Sequence, residues 1–204
     1  MIQDAQPILE RYVAALLAKN EHVNLTAAAS RASAFEILVG PSLAIARAFS
    51  GDDRPHVAVD IGSGNGFPGV AVAALWPSAQ VSLVERRRKK AHAIQDCLDA
   101  AGIENAEAIA CDARELKNER PALVGAADLV TLRAVTSLEE GNRLAAPLLV
   151  RGGLVVHWKR EAMLRKEAPD GDATGRGLGL KRVGEVPHGD DAVLVVYERV
   201  GSRG

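Results

Sequence analysis

Between residues 4 and 19 the apolar side chains Ile8, Leu9, Tyr12, Val13, Leu16 and Leu17 recur at i, i+1, i+4 and i+5. That spacing places them on one helical face. Pro7 falls in the opening turns, where its missing N–H is tolerated. A second apolar stretch over residues 32–49 predicts two helical pieces separated near Gly40-Pro41. The polar run 50–56 then leads into a different pattern.

From residue 57 onward, short branched runs alternate with amphipathic ones. Val57-Ala58-Val59-Asp60-Ile61 reads as a buried parallel strand, followed by glycines and a helix over residues 68–75. Strands are predicted over 81–85, 106–110, 128–132 and 154–158, and helices over 88–101 and 138–149. Gly102 closes the first of these helices. Strand and helix alternating over a hundred residues predict a parallel sheet covered on both faces.

The tail departs from that rhythm. Residues 167–180 are rich in glycine and charge and predict a mobile loop. Residues 181–186 and 192–200 flank Pro187-His188-Gly189-Asp190-Asp191, so they predict two strands paired antiparallel. Five parallel strands ending in such a hairpin is the order of class I methyltransferases. The expected architecture is therefore a seven-stranded, mostly parallel Rossmann-like α/β sheet with N-terminal helices. No internal repeat appears, and the expected organisation is a single domain, with residues 1–50 a helical cap and 55–204 the α/β core.

Composition adds bounds. The 204 residues are 48% hydrophobic and only 3% aromatic, so aliphatic side chains must fill the core. No apolar run reaches the roughly 18–20 residues that span a bilayer, and the first residues do not read as a secretory signal. Two cysteines make no disulfide framework, and the five histidines are scattered. A soluble, cytoplasmic, monomeric protein without a metal site is expected. The net charge of -1 argues against binding a polyanion over the whole surface. A local site stays open, because the field of one face is what matters. Arg86-Arg87-Arg88-Lys89-Lys90 is the densest charge, and it reads either as a solvated face or as a phosphate contact.

The chemistry centres on Asp60-Ile61-Gly62-Ser63-Gly64-Asn65-Gly66-Phe67-Pro68-Gly69. Glycines at a strand-to-helix turn let the backbone approach a ligand closely. Gly64, Gly66 and Gly69 also satisfy the dinucleotide pattern, so a nicotinamide cofactor must be weighed. Two features oppose it. Asp60 sets a carboxylate where a pyrophosphate would lie, and Pro68 removes an amide donor from the helix start. Both suit S-adenosylmethionine, which has no phosphate and carries a sulfonium and an ammonium. Glu85, at the end of the second strand, can accept both ribose hydroxyls, a role that serves either cofactor. Asp112-Ala113-Arg114 follows the third strand, where a side chain and an amide can read an adenine edge.

Asn24-Leu25-Thr26-Ala27, the Asp60-to-Gly69 segment and Arg133-Ala134-Val135-Thr136-Ser137 together resemble the glucose-inhibited division protein B family. That family comprises guanine-N7 methyltransferases of small-subunit (16S) ribosomal RNA, and the resemblance extends loosely over most of the chain. It implies S-adenosylmethionine contacts at Gly62, Phe67, Ala113, Arg114 and Arg133. Arg133 and Lys159 stand at the carboxyl edge of the sheet, where they could hold an RNA phosphate or the guanine edge; a plain surface arginine is the other reading of Arg133. Asn24 and Thr26 are expected to order the N-terminal segment against the pocket. The sequence departs from the family at Val39-Gly40-Pro41-Ser42-Leu43-Ala44, which lacks a His and an Asp-Ser pair, and at the 86–90 run, where Ser-x-x-Lys-Arg is expected.

Attack by guanine N7 needs no general base, so the lack of a catalytic triad is expected; alignment carries the reaction. Three rivals remain at this stage: a same-fold methyltransferase for a small molecule or protein, a silent S-adenosylmethionine-binding or ribosome-associated module, and a nicotinamide oxidoreductase. The methylated nucleotide, the choice between naked RNA and assembled subunit, and the oligomeric state are not written in the sequence.

Overall fold

The structure, a computed structural model, describes residues 2–49 and 54–201. The run expected over 50–56 therefore lies mostly outside the described residues. The chain opens with helix α1 (Ile2–Asn20), whose Ala5, Leu9, Tyr12, Val13 and Leu16 are buried. After a loop comes α2 (Arg31–Ala34), begun by a reciprocal cap between Ser30 and Ser33.

The predicted break at Gly40-Pro41 is absent. The backbone stays helical from α2 through a widened turn (Phe35–Val39), α3 (Gly40–Leu43) and a tight turn over Ala44–Ala48. Gly40 N–H donates to the Phe35 carbonyl, an i→i+5 bond. Pro41 has no N–H and leaves the Ile37 carbonyl without its helical donor. The widened turn absorbs the proline, as such single-turn bulges do.

Apart from the short helix α6, which the sequence does not predict, the core alternates as expected: β1 (Val57–Ile61), α4 (Gly69–Leu75), β2 (Gln80–Val84), α5 (Arg88–Ala101), β3 (Ala106–Ile109), α6 (Leu116–Glu119), β4 (Ala127–Arg133), α7 (Leu138–Ala145) and β5 (Leu149–Arg160). Then follow α8 (Glu161–Gly177), β6 (Leu180–Pro187) and β7 (Ala192–Arg199). The sheet order is β3-β2-β1-β4-β5-β7-β6. β1 to β5 are parallel, and β7 runs antiparallel to both β5 and β6, between which it inserts. β5 begins five residues earlier than predicted. Its register shifts between Ala127 and Leu129 of β4, beside Gly153, where a Cβ would stand 2.8 Å from the Ala127 carbonyl. Only glycine allows that bulge to pair.

Alternate strand residues feed two cores. Ala58, Val81, Leu83, Leu129 and Val156 pack under α1, α4 and α5, while Val59, Ile61, Val130 and Val155 pack under α7 and α8. The two-faced burial explains why the strands read as continuous apolar runs.

The largest correction concerns residues 167–180, expected as a mobile loop. Residues 167–177 continue helix α8, which contains Pro169, and Leu178 and Gly179 then turn into β6. The glycines serve packing. A Cβ on Gly171 would stand 2.6 Å from Leu138 Cβ, and Gly175 faces Asn142 and Tyr197. Asn142 Nδ2 donates to the Gly171 carbonyl at 3.1 Å. Tyr197 donates to Asp172, which also pairs with Arg182 at 2.7 Å. A helix with bare glycines on one face approaches α7 more closely than any side chain would permit, and tertiary contact overrides poor helix propensity.

Candidate cofactor site

The loops that follow β1, β2, β3 and β4 meet at the carboxyl edge of the sheet, where open α/β sheets bind ligands. The β1 loop is tied down first. Gly62 N–H and Ser63 N–H both donate to the Val84 carbonyl, at 2.8 and 3.0 Å. Gly62, Gly64 and Gly66 take φ of +71°, +57° and +93°, a region that side-chain-bearing residues avoid. Tyr12 of α1 supports the loop from beneath. Its hydroxyl donates to the Asn65 carbonyl at 3.0 Å, and its ring meets Phe67 edge-on at 5.5 Å. A Cβ on Gly66 would fall 2.1 Å from the Tyr12 hydroxyl.

Asp60 anchors the same loop from inside. One carboxylate oxygen accepts from Thr131 Oγ1 at 2.6 Å and the other from Gly69 N–H at 3.2 Å. Thr131 is its direct neighbour across the β1–β4 pairing. Burial pushes the Asp60 carboxyl up to about 6, opposed by hydrogen bonds from Thr131, Ser63 and Gly69 and by the charge of Arg133.

In front of this frame lies a cavity of about 390 Å³, lined by Gly62, Glu85, Asp112, Ala113 and Arg114 and walled by Val135, Glu140 and Leu144. Glu85 is held by two amides, Gly64 N–H at 3.2 Å and Arg87 N–H at 2.8 Å. Arg114 stands 3.9 Å from Glu140 across the opening and 4.0 Å from Asp112. Val135 is brought over Gly62 by Ala134, which takes a positive φ of 55°. A Cβ on Gly62 would stand 2.6 Å from the Val135 side chain. A strained residue beside a cavity is a mark of a functional turn.

The predicted site residues thus divide into two groups. Gly62, Glu85, Asp112, Ala113 and Arg114 face the cavity. Asp60, Gly64, Phe67 and Arg133 do not line it; they hold its frame. Arg133 reaches the N-terminal helices, where its guanidinium donates to the Leu38 carbonyl and Ser42 Oγ at 3.2 Å each, and to the Ile37 carbonyl. The Ile37 carbonyl is the one that Pro41 deprives of a helical donor. Ser42 is fully buried and donates to the Leu38 carbonyl at 2.6 Å. The segment 39–44 therefore keeps one polar group that matters. Lys159 is likewise engaged inside the protein, with Glu167 at 2.8 Å and the Thr136 carbonyl at 2.6 Å. Thr26 is buried and accepts from Ala28 N–H, and Asn20 Oδ1 takes the amides of Leu25 and Thr26.

Tyr12, Ser42, Thr131, Val135 and Glu167 carry much of this frame and are absent from the sequence-based list of site residues. Tyr12 is indistinguishable in the sequence from the other apolar positions of α1. Thr131 becomes relevant only when strand register sets it beside Asp60.

The cavity suits an adenosyl ligand. Its donor set is an anchored carboxylate at a strand end, a second acid with an exposed amide one strand over, and a glycine whose bare Cα opens the floor. The sheet order with a reversed β7, and this cavity beside β1, define a class I S-adenosylmethionine-dependent methyltransferase fold. Solved structures agree on that fold. A mutant MtNAS in complex with S-adenosylmethionine superposes with a TM-score of 0.65 at 16% identity, over 96% of this chain and 73% of that one. A Methanococcus jannaschii fibrillarin pre-rRNA processing protein does so with 0.62 at 19%, over 78% and 74%.

Sequence likeness is more particular. Residues 5–173 match the family GidB, described as rRNA small subunit methyltransferase G. Ribosomal RNA small subunit methyltransferase G of Wolinella succinogenes is 34% identical over 156 residues, 76% of each chain. That of Lactococcus lactis is 27% identical over 194 residues, 93% of this chain and 81% of the relative. That of Gloeobacter violaceus is 33% identical over 158 residues, 78% of this chain, and the match spans 62% of the relative's length. The chain belongs to the GidB family.

Proposed function

We propose that this protein transfers a methyl group from S-adenosylmethionine to N7 of a guanine in small-subunit ribosomal RNA, acting as a cytoplasmic monomer on naked RNA or on the small subunit. Family membership supports the reaction class, and the observation that carries it is the anchored Glu85 carboxylate in a cavity at the carboxyl edge of β1, β2 and β4. Glu85 would hold the ribose hydroxyls, and Asp112, Ala113 and Arg114 the adenine side. Gly62 would leave room for the chain that carries the amino acid. Bound there, the cofactor supplies an activated methyl group on sulfur.

The protein's own part is positioning. Guanine N7 presents a lone pair and needs no proton removed, so rate comes from aligning it with the methyl carbon. Val135 and Leu144 would give a bound cofactor an apolar wall to pack against. Asp60, Gly64, Phe67 and Tyr12 hold the glycine loop. Arg133 ties the N-terminal helices to β4, and Lys159 fixes the Thr136 carbonyl beside Val135. No helix of the described residues is long and apolar enough to cross a membrane.

The test is transfer of labelled methyl to small-subunit RNA lacking its N7 mark, with naked RNA, assembled subunits and RNA-free lysate side by side. Label on one guanine N7 is expected. Label confined to the RNA-free lysate would move the function to a protein or small molecule. Thermal shift with S-adenosylhomocysteine checks the cofactor reading separately: Gly64→Leu is expected to abolish the shift.

A further inference from the structure

A second cavity, of about 560 Å³, lies between the loop after α1 and the start of α5. One wall is Asn24, Leu25, Thr26 and Ala27; the other is Arg87, Lys89 and Lys90. Arg87 and Lys90 also line the cofactor cavity, which Arg86 joins. The two spaces therefore flank one cationic ridge. We infer that this ridge and the second cavity form the groove that seats the phosphate backbone of single-stranded RNA beside the cofactor cavity. The inference rests on the proposed RNA-methylating function and adds to it the place where the strand lies.

Four observations carry it. First, among the described residues none of the five side chains at 86–90 makes an ion pair or hydrogen bond. Second, they sit where helix physics disfavours them. α5 has Arg87 at its N-cap with no side-chain cap and no acid in its first turn, so cations meet the positive end of the helix. A chain gains nothing in folding from that placement, whereas an anion would satisfy both the charges and the free amides. Third, the second cavity is lined by no acidic residue, although the chain as a whole carries 26 acids against 25 bases. Fourth, neither the ridge nor the second cavity carries a Phe, Tyr or Trp or an exposed large hydrophobic residue; the ring on the second cavity is His22. The missing apolar anchor disfavours a lipid surface. With His22 as the one ring available for stacking, the groove positions phosphates and leaves base choice to the cofactor cavity.

The experiment compares three proteins: wild type, a ridge variant (Arg87→Gln, Lys89→Gln and Lys90→Gln together), and a control that removes equal charge from exposed sites outside both cavities (Lys117→Gln, Lys166→Gln and Lys181→Gln). Each is titrated with a 20-nucleotide single-stranded RNA at several salt concentrations, and with phosphatidylserine vesicles. The ridge variant is expected to bind RNA at least about tenfold more weakly, with a log–log salt slope shallower by about 2, as loss of three phosphate contacts on a single strand requires. Its Tm is expected to equal or exceed that of wild type, because repulsion at the helix start is removed. Its KM for the RNA is expected to rise by a larger factor than its kcat falls. Asn24→Asp, on the opposite wall, is expected to weaken RNA binding without touching the helix.

Unchanged affinity and slope in the ridge variant overturn the proposal, as does an equal loss in the control. Tighter binding to vesicles than to RNA also overturns it, in favour of a membrane surface. Ridge-dependent RNA binding without methyl transfer would keep the groove and remove the catalytic reading. Methyl transfer with ridge-independent binding would do the reverse.

Discussion

Two stretches of this chain are rich in glycine, and the fold uses them in opposite ways. In residues 62–66 the glycines have positive φ and shape a loop around a cavity. In residues 171–177 they are helical, and the missing side chain of Gly171 lets α8 lie against α7. Glycine content alone does not separate the two uses. The first depends on a backbone conformation that other residues avoid. The second depends on a neighbour standing too close for a methyl group.

That difference can be broken by substitution. Gly66→Ala combines an unfavourable φ of +93° with a Cβ placed 2.1 Å from the Tyr12 hydroxyl. It is expected to cost about 3 kcal/mol or more in denaturant unfolding. Gly171→Ala has no backbone penalty, only the 2.6 Å approach to Leu138 Cβ, so about 2 kcal/mol is expected. Combining it with Leu138→Gly should show a positive coupling in a double-mutant cycle, and additivity would sink the steric account.

The groups buried behind the two regions respond to pH with opposite sign. His157 contacts Gly141 of α7 and bonds Asn142 at 3.0 Å. Burial, aided by the charge of Lys159, pushes its imidazole down to about 3. A depressed imidazole gives stability that is present above its unfolded value of 6.5 and lost as pH falls toward 3. Asp60, raised to about 6 from 3.8, gives stability that is full below 3.8 and lost as pH rises through 6. Between pH 4 and 6 the two slopes oppose each other. His157→Gln should remove up to about 1.4 kcal/mol per pH unit of the stability gained with rising pH in that window. A pH series of urea melts that superposes on wild type would refute it. The smallest effect is expected at Gly175→Ala. Its Cβ would meet Asn142 and Tyr197 at an ordinary 3.4 Å, so helix propensity prevails and stability rises by about 0.5 kcal/mol.

The legible parts of the fold share a feature: each is governed by neighbours close in sequence or by a strict period. Helix α5 spans Arg88–Ala101, the bounds that periodicity and Gly102 predict. The four inner parallel strands, β1, β2, β4 and β5, show as branched apolar runs because both faces are covered. The cavity at the carboxyl edge was readable at Gly62, Glu85, Asp112, Ala113 and Arg114, since glycines and acids at strand ends mark the ligand edge of such sheets. Misread elements depend on distant partners. Pro41 argues for a break, but the Ile37 carbonyl that it strands is taken by Arg133, 96 positions away. Residues 167–177 lack helix-forming composition, but Asn142, Tyr197 and Arg182 hold them in place.

Sequence by itself determined the five parallel strands with the helices after the first, second and fourth, the reversed final strand pair and the glycine loop with its strand-end acids, because these follow from periodicity and from backbone conformations open only to glycine. Tertiary structure alone decided which polar residues face the cavity and which brace it. Asp60 and Arg133 are as polar as Glu85 and Arg114, but strand register sets Asp60 against Thr131 and helix packing sets Arg133 against Leu38 and Ser42. A polar side chain in a buried frame must find a partner, and which partner stands within reach is a property of the packed molecule.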